Sequence, residues 1–259
     1  MNRFMAWQAI ARGVLLESLR RKDLWVIAIL GFIIILAASA LGFFGIAGLE
    51  VFAKDLAVSV LSLFSTIVAV LTASRQLPDE IKNRTLYPLL ARPISRFDLL
   101  MGKLLGSVVA TWIGFLCLSL LTSVALLIFH VQFEIVMVQY LVLKMMGLVV
   151  LCAVSMTLST YMTPQAAATM SFVLAFGSSM IVRAMVMASS TATPFMKSCF
   201  QGLNALLPQY ALFDMGSRAA NVGWGPAPAW VMGALLIYMV AYSGGMMVLS
   251  WAKFRKQAI

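Results

Sequence analysis

Side chains that could perform acid–base, nucleophilic or metal chemistry are few and scattered in this sequence. The single histidine, His130, has only Glu134 near it, and one histidine with one acid makes a poor metal site. The three cysteines, Cys117, Cys152 and Cys199, show neither a disulfide framework nor paired zinc-ligand spacing. The sequence contains no Gly-x-x-x-x-Gly-Lys-Ser/Thr phosphate loop and no recognisable hydrolase motif. We therefore expect no catalytic residue, no metal and no cofactor in this chain.

The composition of the chain requires a membrane. Hydrophobic residues make up 62% of the sequence, charged residues make up 11%, and the mean hydropathy is +0.97. Soluble domains average about 45–50% apolar and about 25% charged residues, so a chain of this size could not bury its apolar surface in water. The net charge of +10 could indicate nucleic acid. The charges lie beside apolar segments, however, which favours anionic lipid as the partner and excludes nucleic acid.

Six apolar segments approach the roughly 20 residues that a transmembrane helix needs. They cover approximately residues 24–44, 56–73, 104–129, 140–161, 166–188 and 230–251. The first segment lacks a cleavage site, so we expect it to be a retained span. The six segments leave no room for a soluble domain. The sequence therefore predicts one all-α transmembrane domain over residues 1–259.

Lysine and arginine residues are concentrated on one side of the predicted bundle. The N-terminal segment, the 75–103 connection and the C-terminus hold fourteen of the 19 basic residues. This bias predicts that both termini are cytoplasmic and that the protein lies in the cell (inner) membrane. Lys144 and Arg183 fall near the outer ends of their spans. Snorkelling of their charges to the headgroups and contact with a substrate are the two interpretations.

Two segments outside the spans also have recognisable patterns. Residues 1–22 combine helical apolar spacing with arginines, which predicts an amphipathic helix in the cytoplasmic interface, with a frayed basic tail as the alternative. Residues 189–228 are too apolar for a free loop and contain Pro208. They predict short re-entrant helices buried by protein, with a helix lying on the outer leaflet as the alternative.

The connection between the second and third predicted spans is the most informative segment. Pro78 favours the start of a short helix, and Glu80 and Arg84 have the spacing of a surface ion pair. Pro93 ends this helix, and Ser95 can cap a second helix that continues into the third span. Such a segment can carry force from a cytoplasmic partner into the membrane. An ordinary solvated basic loop is the alternative.

The same connection contains several residue types at defined separations along the chain. It combines a glutamate, a threonine five residues later, a leucine pair, a Pro-Ile-Ser-Arg turn and a Gly-Lys pair that opens the third span. These residues are Glu80, Thr85, Leu86, Leu89, Leu90, Pro93, Ile94, Ser95, Arg96, Gly102 and Lys103. In this place between two spans, the set resembles the signature of type-2 ATP-binding-cassette (ABC) transporter permeases. The Leu-Ser-Thr at 158–160, the Leu-Pro to Phe-Asp element at 207–214 and the basic tail at 252–256 are also similar to that family.

The resemblance implies the permease subunit of an ABC exporter, which forms the translocation pathway as a dimer, most simply a homodimer. Two separate ATPase subunits would bind ATP and magnesium, so the chain itself would not be an enzyme. Residues 1–22 would be the elbow helix, 75–103 the coupling region and 189–228 a re-entrant segment open to an extracytoplasmic accessory protein. The residues implied in ATPase coupling are Glu80, Arg84, Thr85, Leu86, Leu89, Pro93, Arg96 and Lys103. Arg84 stands where many members of the family have glycine.

Two other functions stay open at this point. A secondary transporter driven by ions should carry buried carboxylates or interrupted spans in matched halves, and neither is clear in this sequence. A non-transporting membrane protein that anchors an ATPase, or transmits its force to another protein, has the same sequence features. The substrate is not indicated by any residue pattern.

Overall fold

The computed structural model describes residues 3–20, 22–40, 49–82, 95–128, 135–191, 195–198, 202, 204, 207–220 and 225–256. Within these residues the secondary structure is entirely helical. The helices are α1 (Arg3–Arg20), α2 (Lys22–Ala40), α3 (Leu49–Lys82), α4 (Arg96–Ile128), α5 (Ile135–Tyr161), α6 (Pro164–Thr191), α7 (Gly216–Ala220) and α8 (Ala229–Phe254). A 3-10 turn, Tyr210–Phe213, lies between α6 and α7.

In the described residues, five helices are long and apolar enough to cross a membrane. These stretches are Lys54–Pro78, Arg96–Leu127, Ile135–Tyr161, Pro164–Ala188 and Ala229–Phe254. They coincide with the second to sixth predicted spans, so the prediction of an all-α, polytopic membrane protein is confirmed. Helix α2 occupies the place of the first predicted span. The count of six spans stays a prediction.

Helices α3, α4 and α5 form the centre of the bundle. In an 18-residue apolar part of each membrane stretch, 50–61% of the residues of these three helices are buried, against 11% in α6 and α8. Hydroxyl groups join the three central helices, because Thr111 lies 3.2 Å from Thr72 on α3 and 3.6 Å from the sulfur of Cys152 on α5. The less buried α6 and α8 expose large apolar side chains such as Val173, Phe176, Ile237 and Val240.

Helix α3 extends past residue 73, where the second predicted span ended. Pro78 was expected to begin a new helix, but it lies inside α3, which continues to Lys82. Proline lacks an N–H and disturbs the carbonyls of the preceding turn, which normally ends or kinks a helix. Here the ammonium of Lys103 donates to the carbonyl oxygen of Gln76 at 3.0 Å in the same turn. The carbonyl that Pro78 leaves without a helical donor is that of Ser74, four residues earlier, so the Lys103 contact attaches α3 to α4 and does not replace the missing bond.

Helix α1 packs along the first turns of α4 because two glycines allow close approach. A Cβ atom at Gly106 would lie 2.6 Å from the Cβ of Val14, and one at Gly102 would lie 2.8 Å from the Cβ of Ile10. These distances are shorter than real carbon contacts, so α1 fits only against glycine. The role of α1 as an interfacial elbow stays a prediction, but its attachment to the start of α4 is part of the fold.

Candidate functional site

A buried ion pair joins the end of α3 to the start of α4. The ammonium of Lys103 lies 2.7 Å from a carboxylate oxygen of Glu80, and the Lys103 side chain is fully buried while that of Glu80 is 23% exposed. Removing a lysine from water is costly unless a charge and hydrogen bonds replace the water. Here Glu80 supplies the charge and the Gln76 carbonyl supplies an acceptor. The pair therefore fixes the two helices on either side of the 83–94 connection.

Ser95 caps the start of α4, and a side chain of α1 contacts the same first turn. The Ser95 hydroxyl accepts a hydrogen bond from the Asp98 backbone N–H at 3.1 Å and donates to the Asp98 carboxylate at 2.6 Å. This confirms the predicted Ser95 cap. The other oxygen of Asp98 accepts the Trp7 indole N–H at 2.9 Å. Asp98 thus connects α1 to the N-terminus of α4.

Arg96 connects the start of α4 to the end of α8. Its guanidinium donates to the carbonyl oxygens of Phe254 at 3.0 Å and Arg255 at 3.2 Å, and it lies 5.9 Å from the centre of the Phe254 ring. The last carbonyls of a helix lack intrahelical partners and carry partial negative charge, which a guanidinium satisfies well. Together, Glu80, Lys103, Asp98 and Arg96 form what we call the charged junction.

The charged junction contains every predicted coupling residue that the structure describes. Glu80, Arg96 and Lys103 lie in it, and they join three helices. The other predicted coupling residues, Arg84, Thr85, Leu86, Leu89 and Pro93, lie outside the described residues. The predicted pairing of Glu80 with Arg84 lies outside the described residues and stays a prediction. Within the described residues, the Glu80 carboxylate contacts Lys103, because a buried lysine needs a fixed counter-ion.

A polar cavity lies at the opposite end of the bundle. Its volume is about 490 Å³, and it is bounded by α3, α5, α6 and the segment that includes the 3-10 turn. Its polar lining residues are Asp55, Ser59, Ser62, Thr66, Lys144, Ser179, Arg183, Tyr210 and Asp214. A volume of this order suits a small molecule or a headgroup.

Lys144 is the innermost charge of the polar cavity. Its ammonium lies 3.5 Å from the Asp214 carboxylate and donates to the Ser62 hydroxyl, and its side chain is only 11% exposed. The Ser62 hydroxyl in turn donates to Asp214 at 3.3 Å, and the Gly216 N–H donates to the other Asp214 oxygen at 3.0 Å. Lys144 is therefore paired within the bundle, and the choice between snorkelling and contact with a substrate stays a prediction. A carboxylate from the chain after Pro208 lies beside Lys144 and makes burial of its charge tolerable.

Tyr210 adds a neutral group to the lining. Burial raises the pKa of its phenol well above the ordinary value, so the phenol stays uncharged at physiological pH. Its hydroxyl is buried and has no hydrogen-bond partner among the described residues. Of the charged groups lining the cavity, Lys144 and Asp214 neutralise each other. The remaining two are Arg183 and Asp55, one of each sign.

Sequence reasoning singled out Lys144 and Arg183 but missed the other side of the cavity. The polar residues of its α3 wall are Asp55, Ser59, Ser62 and Thr66. Their spacing of four, three and four residues places them on one face of a helix. That stripe in an otherwise apolar span was a usable signal. The pairing of Lys144 with Asp214 joins residues far apart in sequence, which the pattern of the residues does not indicate.

Comparison with known families places most of the chain in one of them. A family profile described as "Protein of unknown function (DUF2705)" matches residues 45–259, which include α3 to α8, the charged junction and the polar cavity. Among curated proteins, none matches the chain. The matched region covers well over half of the sequence, and the chain belongs to the DUF2705 family.

Proposed function

We propose that this chain is the permease subunit of an ABC exporter. Two copies form the translocation pathway, and two separate ATPase subunits bind ATP and magnesium on the cytoplasmic side. The proposal includes six spans with both termini in the cytoplasm of the cell membrane, an elbow helix over residues 1–22 and a re-entrant segment at 189–228. Its first support is the resemblance of residues 80–106 to the type-2 permease signature.

The observation that carries the proposal is the Glu80–Lys103 contact. The 83–94 connection, which includes the predicted coupling residues Thr85 and Leu89, lies in sequence between the two helices that this ion pair joins. A force applied to the connection would therefore reach α3 and α4 together rather than bend one of them. Arg96 extends the linkage to α8, and Asp98 extends it to α1. This arrangement suits a segment that receives a movement and passes it to the whole bundle.

The lengths of the helices also suit this role. Helix α3 contains 34 residues, which corresponds to roughly 50 Å at about 1.5 Å per residue, while the hydrocarbon core is about 30 Å thick. The helix therefore extends beyond the hydrocarbon. Glu80 belongs to its final turns, which the proposal places on the cytoplasmic side. The low burial of α6 and α8 supports the proposed pairing of two copies, since a dimer interface needs an uncovered face.

The proposal predicts that the 83–94 connection controls ATP turnover. In nanodiscs that contain the chain and its ATPase, scrambling residues 83–94 should return turnover to the rate of the ATPase alone, because the contact that couples them is lost. Turnover is measured by phosphate release. Lys256→Gln, which removes an exposed basic charge on the same proposed side, should leave turnover unchanged. Equal turnover by the scrambled variant and the natural chain would contradict the proposal.

A further inference from the structure

The polar cavity has an apolar side that lies at the depth of the lipid tails. Leu63 and Phe176 both line the cavity, and both are inside membrane-spanning stretches. They are 43% and 50% exposed. Leu63 lies nine residues beyond Lys54, the first residue of its stretch, which is about 14 Å along the helix axis. The cavity is therefore bordered by surface that acyl chains can reach, as well as by charged groups.

The free charges of the cavity lie near the membrane surface. Asp55 is the second residue of its membrane stretch, and Arg183 precedes the end of its stretch at Ala188 by five residues. Both side chains belong to exposed residues, and neither has an ion-pair partner among the described residues. Headgroups occupy this depth. The cavity thus presents a cation and an anion, separately, at headgroup level and an apolar wall below them.

We propose that the polar cavity binds the headgroup of a zwitterionic phospholipid, with the acyl chains leaving past Leu63 and Phe176. The Arg183 guanidinium takes the phosphate, for which its planar fork of donors is suited, and the Asp55 carboxylate takes the ammonium. The Ser59 and Ser179 hydroxyls line the same space and supply further hydrogen bonds. A purely anionic or cationic ligand would leave one of the two free charges unmatched.

The inference takes only the orientation of the bundle from the proposed function. That orientation places the cavity in the outer leaflet, but binding itself needs neither ATP nor a partner subunit. Failure of the lipid experiment would leave the permease proposal intact. Failure of ATPase coupling would likewise leave lipid binding intact.

Photolabelling in nanodiscs tests the proposal. The discs are made of phosphatidylglycerol and contain a trace of phosphatidylethanolamine with a diazirine in its acyl chain, and labelled peptides are identified by mass spectrometry. We expect labelling of the peptides that contain Leu63 and Phe176. Arg183→Gln and Asp55→Asn should each reduce it about tenfold, which is the effect of losing one charge-assisted hydrogen bond. Both residues are exposed, so both variants should fold, and their thermal unfolding is compared with the natural chain to confirm this.

Lys197→Gln is the matched control for Arg183→Gln. Lys197 is exposed and does not line the cavity, so its loss removes a charge without removing a contact. Equal labelling of Arg183→Gln and Lys197→Gln would overturn the proposal. Equal labelling by diazirine phosphatidylglycerol would also overturn it, because an anion alone would then suffice. Inorganic phosphate or dialanine could instead suppress the labelling while phosphoethanolamine does not. The cavity would then be assigned to a free anion or to a peptide, respectively, and the proposal would be overturned as well.

Discussion

Replacing Glu80 with glutamine should destabilise the folded bundle by about 3 kcal/mol. Lys103 is fully buried, and loss of the Glu80 charge leaves its ammonium without the counter-ion that lies 2.7 Å away. Breaking a buried ion pair by removing one partner typically costs about 3–5 kcal/mol. We expect the lower end of this range because Glu80 is itself 23% exposed. The free energy of unfolding is measured by denaturant titration in bicelles.

Two further variants make the Glu80 result specific. Glu17→Gln removes an exposed carboxylate from α1 and should change the free energy of unfolding by no more than about 0.5 kcal/mol. The double variant Glu80→Leu with Lys103→Met replaces both charges by apolar groups and should recover most of the lost stability. An effect of Glu80→Gln no larger than that of Glu17→Gln would show that the ion pair does not hold α3 to α4.

Replacing Gly106 with leucine should separate α1 from α4. The added Cβ alone would lie 2.6 Å from the Val14 Cβ and 3.0 Å from the backbone Cα of Ala11, so α1 has to move. Overpacking of this kind costs about 1–3 kcal/mol. Because the contact holds only α1, we expect local rather than global change. Hydrogen–deuterium exchange in nanodiscs should show faster exchange over residues 3–20 and little change in α5.

Gly233→Leu is the control for the Gly106 variant. A Cβ at Gly233 would meet no atom within 4 Å, so the same glycine-to-leucine change there should leave exchange over residues 3–20 as it is in the natural chain. If Gly106→Leu also leaves that exchange unaltered, α1 is not held by this glycine contact. The linkage of α1 to the charged junction would then depend on other contacts, among them the Trp7–Asp98 hydrogen bond and the packing of Ile10 on Gly102.

The helices and their order were predictable because a membrane imposes a simple rule. A helix that crosses hydrocarbon needs a long apolar run, and such runs are visible in composition alone. The second to sixth predicted spans coincide with the five long apolar helices. The Ser95 cap was also predictable, since capping depends on residues three apart in sequence.

Features that depend on residues distant in sequence were not predictable. Pro78 was expected to begin a helix because proline favours the first helical position, but it lies inside α3, which continues to Lys82. Snorkelling of Lys144 toward the headgroups was one of two interpretations, and the pairing of its ammonium with the Asp214 carboxylate, 3.5 Å away and itself 43% exposed, was not foreseen. The Glu80–Lys103 and Lys144–Asp214 ion pairs each join residues on different elements, far apart in sequence. The cavity wall on α3 was different, because the Asp55 to Thr66 stripe can be recognised without knowing the fold.

Purification of the chain from its native membranes tests the central claim most directly. The chain is extracted in mild detergent after chemical cross-linking, and the proteins bound to it are identified by mass spectrometry. The account predicts an ATPase subunit in near-equal amount, with cross-links from that subunit to residues 83–94, and loss of the ATPase when those residues are scrambled. Recovery of the folded chain without any ATPase would contradict the account, as would cross-links from an ATPase only to the end of the bundle that contains the polar cavity.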